Sequence, residues 1–438
     1  MLMNIILLSG GSGKRLWPLS NEVRSKQFIK IFKTIDGECE SMVQRIYRQI
    51  KAVDNDAKIT IATSKSQVSS IHNQLGEKVD ISIEPYRRDT FPAIALATTY
   101  LHDVKGVSEE DSVVVCPVDP YVANDYFIML EKLSEQAKRN EANLILMGIE
   151  PTFPSEKYGY IIPKTRKEIS YVAEFKEKPD EETAVQYLSQ GALWNGGVFA
   201  YKLKYVLNIA KEYFGTSDYH QLFNNYKNLE KISFDYAVVE KETSIQVMRY
   251  RGEWKDVGSW NTLTETMSEN FIGDVTVDET CNNLHVINEL GIPVLAMGIH
   301  DAVISVCSDG VLVSDKERSG YIKKYAEKYE GDIKYADKSW GCFRVIDAGN
   351  DSMTIKVTIK PGDGMRYHSH EHRDEVWVVV SGQGRILVDE IEQNVSVGDV
   401  ITMHAGCRHT VYAITELVLI EVQLGKDISV HDKKIFPI

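Results

Sequence analysis

The sequence shows two different patterns of predicted secondary structure, one in its N-terminal part and one in its C-terminal part. Up to about residue 265, short apolar runs such as Ile5–Leu8 and Val113–Val115 alternate with stretches of helical spacing such as Tyr126–Arg139. That alternation predicts βαβ units, with a mostly parallel sheet and covering helices. Beyond about residue 340, strand-like runs follow one another with turn-forming or Gly-containing stretches between them. This second pattern predicts a small antiparallel barrel or sandwich.

A connecting module separates the two regions. Residues 285–314 give brief β-rich pieces, and Arg318–Tyr329 has helical character. The 438 residues are about three times an average domain of roughly 150 residues. We therefore predict an α/β domain at 1–265, a connector at 266–335 and an all-β domain at 336–438.

Charge and composition limit the partners and the compartment. The formal charge of −13 argues against nonspecific binding to nucleic acid or to an anionic membrane, although a local basic pocket for phosphates stays open. No apolar run approaches the roughly 18 residues needed to span a bilayer. The six cysteines form no Cys-x-x-Cys pair, which fits a reducing compartment. We predict a cytoplasmic protein without nucleic-acid or membrane partners.

The first predicted strand runs into a glycine-rich, basic loop. Its glycines are Gly10, Gly11 and Gly13, and the cations that follow are Lys14 and Arg15. Backbone N–H groups of such a loop approach a phosphate closely. It is not a Walker loop, because Leu8 stands at the first Gly position, and it is not a dinucleotide fingerprint, because Leu16 stands at the third. A tight turn with solvated basic side chains is the alternative.

Eight ordered blocks in the first 265 residues resemble the signature of the sugar-1-phosphate nucleotidylyltransferases, specifically the mannose-1-phosphate guanylyltransferases. The blocks are residues 10–20 with 26–28, 84–94, 117–119, 158–161, 175–179, 194–199, 235–241 and 254–260. The resemblance implies a GT-A-like, Rossmann-like domain that joins GTP and mannose 1-phosphate into GDP-mannose and pyrophosphate with Mg²⁺. It also implies a left-handed β-helix-like connector.

The same resemblance implies roles for individual residues. The catalytic residues would be Arg15, Lys26, Asp119 and Asp256, the last two holding Mg²⁺; the nucleotide would contact Gly10, Gly11, Gly13, Lys14, Glu84, Arg88 and Asp89; the sugar phosphate would contact Tyr158, Gly159, Glu177, Lys178, Asn195 and Gly197. Phosphoryl transfer needs positioned cations and a hard dication, so these residue types suit the chemistry. Strand-end turns and exposed salt bridges are the alternatives for the isolated carboxylates and for the Glu177–Lys178 pair.

Several positions depart from the family pattern. Asp89 stands where the family has Asn, and its carboxylate could accept both the N1–H and the exocyclic amine of guanine. The sugar is left open by Pro120 in place of His, Ser25 in place of Pro, and residues 156–157 in place of Thr-Gly. Two alternatives follow: the substrate is another sugar 1-phosphate, for example a heptose, or the protein is a noncatalytic sugar-nucleotide sensor.

A second set of chemistry-bearing residues lies near the C-terminus. The offsets of His368, His370, Glu375 and His409 among Gly362, Gly382, Gly398 and Gly406 resemble the two cupin motifs. Side chains two apart on a strand share a face, so the two neighbouring histidines would point together. The resemblance implies a site for Zn²⁺ or another first-row divalent metal.

In this family a fused cupin signals a type II phosphomannose isomerase, which interconverts fructose 6-phosphate and mannose 6-phosphate. Arg373 would hold phosphate or assist proton transfer. The isomerase pattern has Gln at His368 and His at Val376, and the second cupin motif has Pro at His404, so a structural or dimerising cupin is the alternative. Exposed β edges could pair two copies as a homodimer.

Overall fold

The chain folds into three successive units. A computed structural model of the protein describes residues 3–11, 13–21, 23–329, 333–426, 428 and 432–437, and the side chain of Lys14 lies outside this description. Within the described ranges, no helix has the length and apolar character that a membrane crossing requires.

The first unit is a mixed sheet with helices packed on it. Its strands are β1 Asn4–Ser9, β2 Lys30–Lys33, β3 Cys39–Ser41, β4 Lys58–Ser64, β5 Asp80–Glu84, β6 Ser112–Pro117, β7 Pro120–Val122, β8 Leu144–Ile149, β9 Tyr160–Pro163, β10 Ile169–Lys176, β11 Leu193–Lys202, β12 Ile245–Tyr250 and β13 Trp254–Asp256. Its helices are α1 Met42–Val53, α2 Val68–Leu75, α3 Thr90–Asp103, α4 Asn124–Lys138, α5 Glu181–Ser189, α6 Leu203–Phe214, α7 Tyr219–Asn225 and α8 Trp260–Thr264.

The main sheet of this unit has the order β5-β4-β1-β6-β11-β8-β12-β10-β9. Strand β1 runs parallel to β4 and β6, whereas β11 is antiparallel to β6 and β8. Ile5 packs in the core shared with Ile46 of α1, and Ile6 packs on the opposite face with Ile94 of α3. Because both faces are covered, β1 reads as a continuous apolar run. The predicted sheet with covering helices is confirmed, but the prediction of a mostly parallel sheet is wrong: β9, β10 and β11 pair antiparallel with their neighbours, so the sheet is mixed.

The connector is built from stacked parallel turns of chain. Its strands are β14 Phe271–Ile272, β15 Val275–Val277, β16 His285–Asn288, β17 Val294–Ala296, β18 Ala302–Cys307 and β19 Gly310–Asp315, and the short helix α9 Lys323–Ala326 follows. Strands β14, β16 and β18 stack in parallel along one side, and β15 and β17 pair in parallel along another. Val286, Ala296 and Val306 lie between them. This confirms a β-helix-like connector, while its handedness stays a prediction.

The third unit is a barrel of two facing sheets. Its strands are β20 Tyr335–Lys338, β21 Gly341–Ala348, β22 Ser352–Ile359, β23 His368–Ser369, β24 Arg373–Ser381, β25 Gln383–Val388, β26 Ile391–Ser396, β27 Val400–Met403, β28 His409–Ala413, β29 Leu417–Gly425 and β30 Lys434–Ile435. The sheet orders are β20-β21-β22-β29-β24-β27 and β26-β25-β28-β23-β30. Every pairing in both sheets is antiparallel among the residues described, so the predicted all-β cupin barrel is confirmed.

Alternation along β24 decides which side chains enter this barrel. Arg373, Glu375, Trp377 and Val379 are buried, and the residues between them are more exposed. Because successive side chains of a strand point to opposite faces, the buried set shares the interior. The strand therefore carries an arginine and a carboxylate into an otherwise apolar core.

Candidate active site

The glycine-rich loop follows directly after β1, and contacts with Lys26 and Gln67 fix its backbone. Gly13 has a φ of +64°, and a Cβ there would lie 2.7 Å from the backbone nitrogen of Lys26. Only glycine tolerates both conditions. Gln67 donates to the Gly11 carbonyl at 3.2 Å and to Ser25 Oγ at 2.6 Å. This buried glutamine therefore ties the loop to the segment that carries Lys26.

The second predicted block lies beside the loop. Glu84 ends β5, is buried, and accepts a hydrogen bond from the Tyr226 hydroxyl at 3.0 Å. Burial raises the pKa of Glu84 to about 7, and a Cβ on Gly10 would stand 3.6 Å from its Oε1. Asp89 caps α3 by accepting from the Thr90 backbone N–H at 2.8 Å. The Arg88 guanidinium donates to the Lys227 carbonyl.

A short two-stranded sheet brings the two predicted magnesium ligands together. In the β7–β13 pair, Asp256 lies opposite Pro120, the residue after Asp119. The Lys26 ammonium is 3.2 Å from Asp119 Oδ2 and donates to the Val257 carbonyl at 3.2 Å. Carboxylate pairs of this kind suit Mg²⁺, which prefers oxygen ligands and retains water.

Arg15 reaches the same place. A Cβ on Gly258 would lie 3.2 Å from Arg15 Nη2 and 3.2 Å from both carboxylate oxygens of Asp256. Tyr158 adjoins this pair: burial and the Asp256 charge raise its pKa to about 12, while the Arg15 charge lowers it. The absence of a side chain at Gly258 leaves room for the arginine and the aspartate to converge.

The predicted sugar-binding residues form one cluster next to this site. Asn195 donates through its backbone N–H to the Gly159 carbonyl at 2.8 Å, and its side-chain oxygen accepts from the Gly197 N–H at 3.1 Å. A Cβ on Gly159 would lie 2.5 Å from Glu177 Oε2. The Lys178 ammonium forms an ion pair with Glu177. Glycine at Gly159 lets the backbone approach the Glu177 carboxylate closely, and Gly197 has a φ of +70°, which favours glycine.

Asp235 joins this cluster, although sequence reasoning assigned it no role. It opens a π-helical turn, Asp235–Val239, and accepts from Asn195 Nδ2 at 2.7 Å. Burial and the Glu177 carboxylate raise its pKa to about 7. Its signal was its position in the seventh block, residues 235–241. Gln67 carries no comparable signal.

The barrel holds a second constellation, at the predicted metal ligands. The ligand nitrogens of His368, His370 and His409 lie within 4.8 Å of one another, and all three side chains are buried. Each Nδ1 meets a backbone carbonyl, of Arg366 at 2.6 Å, of Asp432, and of Cys407 at 3.1 Å, respectively. These contacts favour the Nδ1–H tautomer, in which the Nε2 lone pairs face the interior of the cluster, where a metal would bind.

Glu375 adjoins these imidazoles. Its Oε1 is 3.2 Å from His370 Nε2, and its Oε2 is 3.3 Å from His409 Nε2. Burial alone would raise the pKa of Glu375, but His409, His370 and Arg373 outweigh it and hold the pKa below its usual range. Burial lowers the pKa of His370 to about 4 and that of His368 to about 2, so both are neutral near pH 7. A carboxylate with neutral imidazoles fits a divalent metal.

Arg373 and Glu421 complete the interior. Arg373 Nε donates to Glu375 Oε1 at 2.9 Å, and its Nη2 is 3.0 Å from His370 Nε2. Glu421 faces inward from β29, opposite Trp377, and burial together with the Glu375 charge raises its pKa to about 8. Sequence reasoning missed Glu421. Its signal is that it falls at every second position after the buried Leu417 and Leu419 of β29 and therefore shares their face.

Comparison with protein families decides the relationship of the whole chain. The nucleotidyl transferase family model matches residues 4–270. This chain belongs to the nucleotidyl transferase family. A second family model, mannose-6-phosphate isomerase C-terminal, matches residues 327–436 of this family member.

Two relatives match nearly the whole chain, and one solved structure matches three quarters of it. Mannose-1-phosphate guanylyltransferase of Salmonella montevideo is 29% identical over 98% of this chain and 97% of its own. Xanthan biosynthesis protein XanB of Xanthomonas campestris is 30% identical over 98% of this chain and 96% of its own. A solved structure titled mannose-1-phosphate geranyltransferase, from Thermus thermophilus, is 25% identical, covers 75% of this chain and 98% of its own, and has a TM-score of 0.61.

Proposed function

We propose that this chain transfers GMP from GTP to mannose 1-phosphate, giving GDP-mannose and pyrophosphate. The observation that carries the proposal is the convergence of Arg15, Lys26, Asp119 and Asp256 beside the glycine-rich loop. The names of the full-length guanylyltransferase relatives support the choice of nucleotide and sugar.

The reaction is an in-line displacement at the α-phosphorus of GTP. A phosphate oxygen of mannose 1-phosphate forms the new P–O bond, and the bond to the bridging oxygen breaks as pyrophosphate leaves with its electron pair. Lys26 and Arg15 offset the negative charge that grows on the phosphoryl oxygens. Loop N–H groups near Gly11 and Gly13 hold the triphosphate in line for attack.

Asp119 and Asp256 would hold the Mg²⁺, which when bound neutralises phosphate charge. Lys178 binds the phosphate of the incoming sugar, and Glu177 and Asn195 orient its hydroxyl groups. The contact between Asn195 and Asp235 supports this arrangement, because it fixes the amide before substrate arrives. Asp89 recognises guanine: besides the Thr90 N–H, its carboxylate accepts hydrogen bonds from the N1–H and the exocyclic amine of the base.

The test is an assay of the full chain with Mg²⁺, a panel of nucleoside triphosphates and a panel of sugar 1-phosphates. We expect pyrophosphate release and GDP-mannose, identified by mass spectrometry, to be fastest with GTP and mannose 1-phosphate. A faster reaction with a heptose 1-phosphate would replace the substrate. Binding of GDP-mannose without pyrophosphorolysis would show a sugar-nucleotide sensor instead.

The barrel supports a second activity, the interconversion of fructose 6-phosphate and mannose 6-phosphate. The specific observation is the buried cluster of His368, His370, His409 and Glu375 with Arg373 against it. These four ligands would hold Zn²⁺ or another first-row divalent metal, which supplies polarisation of the substrate carbonyl. Arg373 binds the phosphate or assists proton movement between C1 and C2.

NMR of metal-loaded protein with fructose 6-phosphate tests this activity through the appearance of mannose 6-phosphate. Its absence in a sample that retains bound metal would leave the cupin a structural or dimerising role. A homodimer and a cytoplasmic location remain our predictions, and light scattering of the full chain checks the first.

A further inference from the structure

Distant parts of the chain fasten the segment between the two catalytic cations. We call residues 17–21 and 23–26 the anchor segment; it starts two residues after Arg15 and ends at Lys26. The Trp17 ring stacks on Tyr329 with centroids 5.0 Å apart. The Pro18 carbonyl accepts a hydrogen bond from Cys307 Sγ at 3.2 Å. These partners belong to the connector, not to the transferase sheet.

The strongest of these contacts is a two-pronged ion pair. Arg24 Nη1 and Nη2 each lie 2.7 Å from one carboxylate oxygen of Glu289, which follows β16. The Arg24 side chain is 9% exposed, so solvent screens the pair weakly. Its guanidinium also lies over the Tyr335 ring, 4.9 Å from the centroid. Planar forks of this kind fix orientation as well as distance.

The connector also holds Asn21, through hydrogen bonds to Asp309 in the turn between β18 and β19. Its Nδ2 donates to Asp309 Oδ2 at 2.7 Å, and its Oδ1 accepts from the Arg24 backbone N–H at 2.6 Å. Asp309 Oδ1 accepts from the Lys334 N–H at 2.7 Å. One carboxylate therefore joins the anchor segment to the chain that enters the barrel.

The anchor segment ends at Lys26, a residue of the proposed nucleotide site. Lys26 is two residues beyond Arg24, and its backbone nitrogen stands so close to Gly13 that no side chain fits between them. Its ammonium contacts Asp119. A shift of the anchor segment therefore moves Lys26 against both the phosphate loop and a magnesium ligand, and misplacements of about 1 Å cost large factors in rate.

We propose that Glu289 and Asp309 of the connector are positioning residues for the nucleotide site: by holding Arg24 and Asn21 they set the place of Lys26. The nucleotide site is thus incomplete without the connector. The inference rests on the proposed function for the identity of the nucleotide.

Glu289→Gln tests the inference, with Glu40→Gln as the matched control. Glu40 makes a two-pronged ion pair with Arg48, at 3.0 and 2.6 Å, and its described side-chain contacts are with α1 rather than with the anchor segment. In Glu289→Gln we expect the KM for GTP and the Kd of Mg-GTP, measured by calorimetry, to rise about tenfold. The KM for mannose 1-phosphate should stay within about twofold, because the sugar cluster lies on other strands.

Further variants separate positioning from folding. Arg24→Gln combined with Glu289→Gln should lose no more GTP affinity than Arg24→Gln alone, since both changes break the same ion pair. Arg24→Lys should fall between wild type and Arg24→Gln, because it keeps the charge without the fork. If Glu289→Gln does not fold by circular dichroism, Asp309→Asn replaces it.

Two results would overturn the proposal: a folded Glu289→Gln protein with the GTP affinity of the Glu40→Gln control, or equal rises in the KM values of both substrates. The proposed function fails separately, if wild-type protein binds Mg-GTP but forms no GDP-mannose. In that case the calorimetric Kd values still decide the positioning role.

Discussion

A substitution of Lys178 tests which substrate this cation of the proposed active site binds. Lys178→Met removes the ammonium that we assign to the sugar phosphate, so the KM for mannose 1-phosphate should rise by about tenfold or more, as expected for one lost charged hydrogen bond. The KM for GTP should change much less. Steady-state kinetics with each substrate varied in turn measures both. Lys176→Met, which removes a neighbouring exposed ammonium of β10, is the control. Comparable losses for both substrates in Lys178→Met would refute the assignment.

Gly258 gives a second prediction at this scale. In Gly258→Ala the new methyl group would press on Arg15 Nη2 and on the Asp256 carboxylate, both 3.2 Å away. We expect kcat/KM for GTP to fall roughly tenfold or more while the melting temperature changes little, because Arg15 is exposed and Asp256 is only partly buried, so both can shift without disturbing the core. Gly291→Ala is the matched control, since no atom lies within 4 Å of its new Cβ. Equal activity of the two variants would show that Arg15 and Asp256 need not be held so closely.

At the scale of elements, β16 of the connector carries a buried titratable group. Burial and the Lys316 charge lower the pKa of His285 from the ordinary histidine value of 6.5 to about 4. The unfolded chain therefore binds a proton that the folded chain refuses between about pH 6.5 and 4, and stability falls as pH falls through that window. The loss is at most about 1.4 kcal/mol per pH unit. Denaturant unfolding at pH 7 and pH 5 should show a smaller difference for His285→Gln than for wild type; an identical difference would contradict this account.

Asp432, which lies just before β30, contacts the predicted metal site. Asp432 Oδ1 accepts from the Glu371 N–H at 2.9 Å, Oδ2 accepts from the His372 N–H at 3.1 Å, and the Asp432 carbonyl accepts from His370. Asp432→Ala keeps that carbonyl but removes the two side-chain contacts that hold it beside His370, so Zn²⁺ binding should weaken by about 10-fold, the low end of the loss typical for outer contacts. Calorimetric titration of metal-free protein measures the affinity. Asp399→Ala removes a similar carboxylate–backbone contact elsewhere in the barrel and should leave it unchanged.

For the molecule as a whole, Asn73 of α2 joins the transferase unit to the barrel. Its Nδ2 donates to the carbonyls of Lys338 at 2.6 Å and Gly341 at 2.9 Å, and its own carbonyl accepts from Lys360 at 2.8 Å. Asn73→Ala should speed amide hydrogen exchange across the 338–341 turn, since about 1 kcal/mol per lost hydrogen bond lowers the cost of local opening. Asn143→Ala, which breaks a contact within the transferase unit, should not. Unchanged exchange at the turn would show that the two units dock without Asn73.

Local pattern was enough to predict much of this architecture. The apolar run of β1 follows from rules of period and burial, and the resemblance of the ordered blocks implied Asp119 and Asp256 as a pair of ligands. The β7–β13 pairing then confirms that these two segments are neighbours. The roles assigned to the site residues remain predictions, because residue positions alone do not test them.

Contacts between residues far apart in sequence could not be predicted. Gln67 donates to the glycine-rich loop from 56 positions away, and the Asp432 carbonyl meets the predicted metal ligand His370 from 62 positions away. Neither residue type is unusual where it stands, since Gln and Asp are common on helices and in turns. Such pairings depend on tertiary packing, which no local period encodes. Asp235 is intermediate, because its block suggested importance while its contact with Asn195 appears only in three dimensions.

The fastening of Asn21 and Arg24 by the connector bears on how such enzymes can be recombined. A chimera that grafts this transferase sheet onto a foreign barrel would have to inherit the rungs bearing Glu289 and Asp309 along with it. Domain shuffling in this lineage is thus expected to exchange blocks whose seam falls beyond β20, because Tyr335 of that strand also contacts Arg24.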